Sequence, residues 1–264
     1  MPHEKSQAAA SSTRASAGHV VLHSVDGQSY RSLSQRNTTR AERMALGRRL
    51  RQEVPRSRLG DWVAPAGRLD PVQHIIRSHA GRVKELIPIR VGRMVASPYG
   101  FLRGTAVVMA WDVAQLPSTG ITPVVCGDAH LGNFGFYASP ERDLVIDLND
   151  FDEAHPGAWE WDLRRLTASI WVAGRRNGSS ESQCHNSVAA CVAAYRDEVR
   201  FLADQPLLLR SYQRLDVAHL HETATEKGLR GEIARAAKRA RQRTSDRALP
   251  RFTAEVGGRR HIVE

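Results

Sequence analysis

No stretch of this sequence approaches the roughly 18 to 20 consecutive apolar residues that a membrane-spanning helix needs. Cysteine is nearly absent. Cys126, Cys184 and Cys191 form no C-x-x-C pair, and an odd count argues against a disulfide framework. Cys184 and Cys191, seven residues apart in a helical pattern, read instead as small buried apolar residues. The first eighteen residues are rich in Ala, Ser and Thr and hold no apolar run of the secretory kind. A disordered lead-in over 1–35 and a cytoplasmic location are therefore expected. Lysine is scarce too: Lys5, Lys84, Lys227 and Lys238 are the four, and the remainder of the 38 basic residues are arginine. No G-x-G-x-x-G occurs, and no strand lysine of the V-A-I-K kind precedes the motifs described below.

What is abundant is positive charge. The net charge is +10 and the pI about 10.2, which suits attraction to nucleic acid or to phosphates. The arginines are scattered along the chain among acids, however, so an Arg-rich composition explains the balance and nucleic acid is not the expected partner. The hydrophobic share of 41% is enough for a soluble domain with a real core.

The helical period appears from Arg36 to Glu53, with Met44, Leu46 and Leu50. A loop rich in Pro and Gly surrounds Trp62. Asp70-Pro71 then starts a helix, because Asp caps well and Pro suits the first turn. Apolar positions from Val72 to Ile87 extend that helix, and Pro88 is expected to end or kink it. Ser97-Pro98-Tyr99-Gly100 opens another helix through Phe101 to Val113. Short β-branched or aromatic runs follow at Thr122 to Cys126, Phe134 to Tyr137 and Leu144 to Asp147, and these read as strands. Beyond Pro156-Gly157, the residues Trp159, Leu163, Leu166 and Ile170 form one apolar helical stripe. A second helix spans Glu181 to Asp204, with Val188, Val192, Tyr195, Val199 and Leu202 inward. A basic helix is expected over Glu232 to Arg243, as a solvated face.

Two loops carry the chemistry. In Gly127-Asp128-Ala129-His130-Leu131-Gly132-Asn133, Asp128 can accept a proton from a substrate hydroxyl, while the Asn133 amide oxygen can hold a metal that bridges nucleotide phosphates. Asp147-Leu148-Asn149-Asp150-Phe151-Asp152-Glu153 places four acids within seven residues, hard oxygen ligands suited to magnesium. Asp128 and Asn133 taken singly would also suit turn caps. His130 reads as a buried, hydrogen-bonded support in preference to a ligand or base. Asp150 is the preferred metal ligand, and Asp147 also fits by spacing. Asp152 and Glu153 are supporting acids. Arg103 either reaches a phosphate or pairs with the acid cluster, the ion pair being preferred.

The pattern Cys126-Gly127-Asp128-Ala129-His130-Leu131-Gly132-Asn133, then Asp150-Phe151-Asp152-Glu153-Ala154, then Asp162-Leu163 resembles small-molecule kinases of the aminoglycoside and choline phosphotransferase type. Those show H-G-D-x-H-x-x-N followed by I-D-F-D-D-A. The likeness implies ATP and Mg2+ as cofactors and a small-molecule acceptor. It assigns Asp128 as catalytic base, Asn133 and Asp150 as metal ligands, and Asp162 as a structural acid behind the loop. Cys126 stands where the motif has its leading His.

The wider sequence resembles the DUF2252 proteins, an uncharacterised bacterial family, in Ser97-Pro98-Tyr99-Gly100-Phe101-Leu102-Arg103-Gly104, in Cys126 to Phe136, in Leu148 to Ala154 and in Trp159-Glu160-Trp161-Asp162-Leu163. The likeness runs from about Arg36 onward and implies a single domain over 36–264. It also implies that a glycine-rich turn and a clamping lysine belong to a later part of the family's sequence, beyond this one. The expected architecture is α+β and mostly helical, with a small sheet carrying both loops in a lobe like the kinase C-terminal lobe. Two other functions fit the residues: a kinase-like protein that binds a nucleotide or partner without catalysis, and a metal-dependent phosphoesterase using Asp128-x-His130 and the nearby acid cluster, which would want further His ligands downstream, where His219-x-His221 in polar surroundings is the one such pair.

Overall fold

The computed structural model describes residues 39–263 apart from 65, 225, 243 and 244, so the lead-in expected over 1–35 lies outside the described residues. Helix α1 (Arg40–Glu53) starts at a reciprocal capping box between Thr39 and Glu42. Helix α2 (Pro71–Arg77) begins as expected, with the Asp70 carboxylate accepting the Val72 N–H at 2.8 Å. It does not reach Ile87. The chain turns through Gly81 at φ 80° and re-enters a helix as α3 (Ile87–Val95), with Pro88 in its first turn. Pro88 thus starts a helix instead of ending one, because a first-turn residue has no intrahelical N–H bond to lose.

The next expected helix is two, α4 (Pro98–Gly104) and α5 (Ala106–Ala114). The break falls at buried Thr105, whose hydroxyl donates to the carbonyls of Phe101 and Leu102 at 2.9 and 3.1 Å. A threonine bonding its own backbone in this way competes with helix continuation. Ile75 of α2, Met94 of α3 and Val108 of α5 make a common apolar cluster.

Strands β1 (Val124–Val125), β2 (Phe134–Ala138), β3 (Leu144–Leu148) and β4 (His155–Pro156) follow. They do not share one sheet. β2 and β3 form an antiparallel hairpin with Phe134 opposite Leu148 and Ala138 opposite Leu144, while β1 pairs antiparallel with β4. Each candidate loop therefore leaves one strand pair and joins the other, which draws the two loops together.

Helix α6 (Trp159–Arg176) then packs on α7 (Glu181–Asp204). Their approach is close at Gly174, where an added Cβ would lie 2.8 Å from the Cys184 sulfur. Cys184 is buried as expected, and Cys191 only partly. The face of α7 expected to point inward is half open, with Val192, Tyr195 and Val199 at 40%, 41% and 48% exposure. The remaining elements are α8 (Leu207–Tyr212), α9 (Val217–Thr223), α10 (Lys227–Arg241), α11 (Ser245–Phe252), β5 (Thr253–Val256) and β6 (Arg259–Ile262). The last two form a hairpin closed by Gly257 and Gly258 at φ 60° and 75°, the positive values a two-residue loop needs. The whole is α+β and mostly helical, and no described helix is long and apolar enough to cross a membrane.

Candidate functional site

One face of α6 organises the first loop. Asp162, Arg165 and Ser169 stand at i, i+3 and i+7, on one side of the helix. The Asp162 carboxylate accepts the N–H groups of Cys126 at 2.6 Å and Gly127 at 2.9 Å. Arg165 reaches Asp128, its Nε 2.6 Å from Oδ1. The fully buried Ser169 hydroxyl accepts the Leu131 N–H at 3.0 Å. The loop is thus tied to a rigid helix at its start, middle and end.

Asp128 and His130 share a buried polar cluster. The Arg165 side chain is only 3% exposed and also donates to the Leu102 carbonyl at 2.6 Å, so a charged group is fixed between α4, α6 and the loop. His130 is 2% exposed, and its Nδ1 accepts the Gly132 N–H at 3.0 Å. That bond places the proton of the neutral ring on Nε2, which lies 3.8 Å from Asp128 Oδ2. Burial holds the His130 pKa below the ordinary imidazole value. The Asp128 carboxylate opposes that shift, and the charges of Arg165 and Arg103 reinforce it. His130 is therefore a neutral, hydrogen-bonded support, and the Asp128 carboxylate keeps one oxygen, Oδ2, outside the arginine bond.

Asn133 is buried, and its amide nitrogen donates to the Asp128 carbonyl at 2.7 Å. With the nitrogen so fixed, the amide plane leaves Oδ1 as the free acceptor. The second loop docks here through its backbone. The Asn149 N–H donates to the Asn133 carbonyl at 3.0 Å, which sets Asp150 one residue from Asn133's partner. The buried Cys126 thiol donates to the Asp150 carbonyl at 3.1 Å. Gly127, at φ 83°, lies so close to the second loop that an added Cβ would sit 2.2 Å from the Glu153 carbonyl oxygen. Cys126 in the place of the kinase-type His therefore serves as the bridge between the loops.

The model of a family described as uncharacterised proteins conserved in bacteria, DUF2252, matches residues 82–264. The chain belongs to the DUF2252 family. Neither a curated protein nor a solved structure matches it.

In this DUF2252 chain the remaining candidates divide. Asp150 is exposed, with its Oδ1 3.4 Å from the Asp152 N–H. Asp147 is exposed on β3, and its carboxylate accepts the following Leu148 N–H at 2.8 Å, a local bond that leaves it outside the docked loops. Asp152 and Glu153 are exposed on the turn. Arg103 ends α4 on the exposed side and makes no ion pair among the described residues, so the preferred pairing with the acid cluster is not formed. Its charge acts on His130 instead. Among the described residues no group of three or more His, Cys, Asp or Glu side chains gathers as a metal site. The oxygen donors the two docked loops offer are the Asn133 amide oxygen and, one residue beyond the Asn149–Asn133 backbone bond, the Asp150 carboxylate. That set fits Mg2+, which takes one or two carboxylates and fills its other positions with water and phosphate oxygens.

Arg165 and Ser169 were not legible as site residues in the sequence. Arg165 lies 37 residues from Asp128, among many arginines. The one signal was its helical offset of three from Asp162, the acid already singled out.

Proposed function

We propose that this protein is a kinase-like phosphotransferase that uses ATP and Mg2+ to phosphorylate a small-molecule acceptor. The observation that carries the reading is the backbone docking of the two loops, with Asn149 bonded to Asn133 at 3.0 Å. With the Asn133 amide donating to the Asp128 carbonyl at 2.7 Å, that docking supports a site shared by Asp128, Asn133 and the exposed Asp150. In phosphoryl transfer the protein supplies mainly position and charge neutralisation. Asp128 Oδ2 receives the acceptor hydroxyl and orients it toward the phosphate. Arg165 holds the carboxylate in place from the other side, and neutral His130 supports it without competing for the proton. Asn133 and Asp150 would hold Mg2+, which supplies positive charge to the phosphate oxygens when bound. Arg103, exposed and unpaired among the described residues, is available to the phosphates. The kinase-lobe resemblance belongs to this proposal and rests on the same motifs.

A second reading has one observation in its favour. Arg165, itself 3% exposed, holds Asp128 Oδ1 at 2.6 Å in a buried ion pair, and a carboxylate engaged in this way suits a protein that binds Mg-nucleotide without turning it over. ADP release from ATP and Mg2+, measured over a panel of small alcohols and amines, separates the two. Acceptor-dependent release lost in Asp128→Asn, with nucleotide binding retained, supports transfer. Binding without release for any acceptor supports the second reading. The phosphoesterase reading finds no ligand group among the described residues, and His219 and His221 lie on α9, beside β3 and apart from the docked loops.

A further inference from the structure

A cleft of about 920 Å³ lies between the β2–β3 hairpin and the last turns of α10. Phe136, Leu144 and Ala240 give it apolar walls, and Arg142, Arg239 and Arg241 line it with positive charge. None of these three arginines makes an ion pair among the described residues. Two acids adjoin Arg142 in the hairpin turn, and both face Arg214, whose guanidinium lies 2.6 Å from Glu141 and 3.8 Å from Asp143. Asp143 also lines the cleft, so one carboxylate, partly answered by Arg214, stands among the three arginines, and positive charge remains in excess there. Glu232, which feels the charge of Arg239, is bonded to Arg235.

Arg142 is also the one described non-glycine residue at positive φ, 72°. The turn imposes this through the Arg142 N–H bond to the Ser139 carbonyl at 2.9 Å and the Ser139 N–H bond to the Asp143 carbonyl at 2.8 Å. A residue without Cβ is the natural occupant of such a position. Strained backbone held by its surroundings is a mark of functional positions, and here it presents a guanidinium to a concave space. Arginine forks match phosphate oxygens two at a time. The volume lies within the range of small-ligand pockets, and the apolar walls suit a ring more than a strand of backbone phosphates.

We propose that this cleft binds a phosphate-bearing small molecule of about mononucleotide size, with Arg142, Arg239 and Arg241 as its anion-binding groups. The site is separate from the docked loops. It lies toward the Ala138–Leu144 end of the hairpin, and the loops join at the Phe134–Leu148 end, about 13 Å away at the usual strand rise. It requires no metal, and so goes beyond the phosphotransferase reading.

The test is calorimetric titration of the full chain with AMP and with inorganic phosphate, in EDTA. The variants are Arg142→Gly, Arg239→Ala and Asp150→Ala. Arg142→Gly removes the guanidinium while suiting the positive φ, so its fold is expected to melt no lower than the parent. The expected result is AMP binding tighter than phosphate binding, weakened at least fivefold by either arginine substitution and unchanged in Asp150→Ala. Silence with both AMP and phosphate overturns the proposal, as does binding indifferent to the arginines. Tighter binding of a single-stranded oligonucleotide than of AMP, falling steeply with salt, overturns it in favour of a polynucleotide surface.

Discussion

Asp162→Ala removes the single side chain that holds the start of the first loop. Its carboxylate accepts two backbone N–H groups, from Cys126 at 2.6 Å and Gly127 at 2.9 Å. Leaving a buried donor unpaired costs about 1–3 kcal/mol, and bonds to a charged acceptor stand at the upper end. Asp162 is only partly buried, so water replaces some of the loss, and we expect about 2–4 kcal/mol in all. For a chain of this size that is roughly 4–16 °C in Tm. Asp162→Asn should fall between parent and alanine, because an amide presents one acceptor oxygen and turns an NH2 toward the other donor. The assay is thermal unfolding by circular dichroism, with Asp197→Ala as control. Asp197 pairs with Arg196 on the exposed surface of α7, where ion pairs contribute little, and its loss should leave Tm unmoved. An Asp162→Ala protein that melts with the Asp197→Ala control would refute the claim that α6 suspends the loop.

Three further outcomes follow from the same geometry. Gly127→Ala must hold an alanine at φ 83° with its Cβ 2.2 Å from the Glu153 carbonyl oxygen, so thermal melts should show at least about 1–3 kcal/mol of destabilisation from the backbone alone. Arg165→Met breaks a charge pair whose arginine is 3% exposed, and about 3 kcal/mol should be lost, read by urea unfolding. His130 has its pKa lowered by burial, so the unfolded chain binds the proton more readily. Its contribution to stability is complete above about pH 6.5 and is lost as pH falls below that value. His130→Asn, which keeps an acceptor for the Gly132 N–H, should flatten the decline in Tm between pH 7 and 5.5; an unchanged slope would remove His130 from the account.

Much of this was legible in the residues, for identifiable reasons. The Glu181–Asp204 helix was bounded correctly because a Ser180–Gln183 capping box marks its start. The hairpin strands were found because β-branched and aromatic runs alternate with turn residues. Pro88 misled because proline both ends helices and starts them, and only the left-handed Gly81 shows which applies. The open face of α7 kept a helical period without a partner to bury it. The β5–β6 hairpin carries its own signal, Gly257-Gly258 between two extended runs. In the site, the loops were visible as motifs, but what holds them was not. Cys126 to the Asp150 carbonyl, Asn149 to the Asn133 carbonyl and Arg165 to Asp128 are tertiary contacts, and two of the three use backbone atoms that every residue carries.

The most direct test of the central claim is calorimetric titration of ATP into the folded chain with and without Mg2+, repeated on Asp150→Ala. The account predicts micromolar-range binding that requires Mg2+ and weakens at least about tenfold, 1.4 kcal/mol or more, in Asp150→Ala. ATP binding that ignores both Mg2+ and the substitution, or none by a demonstrably folded chain, would contradict it.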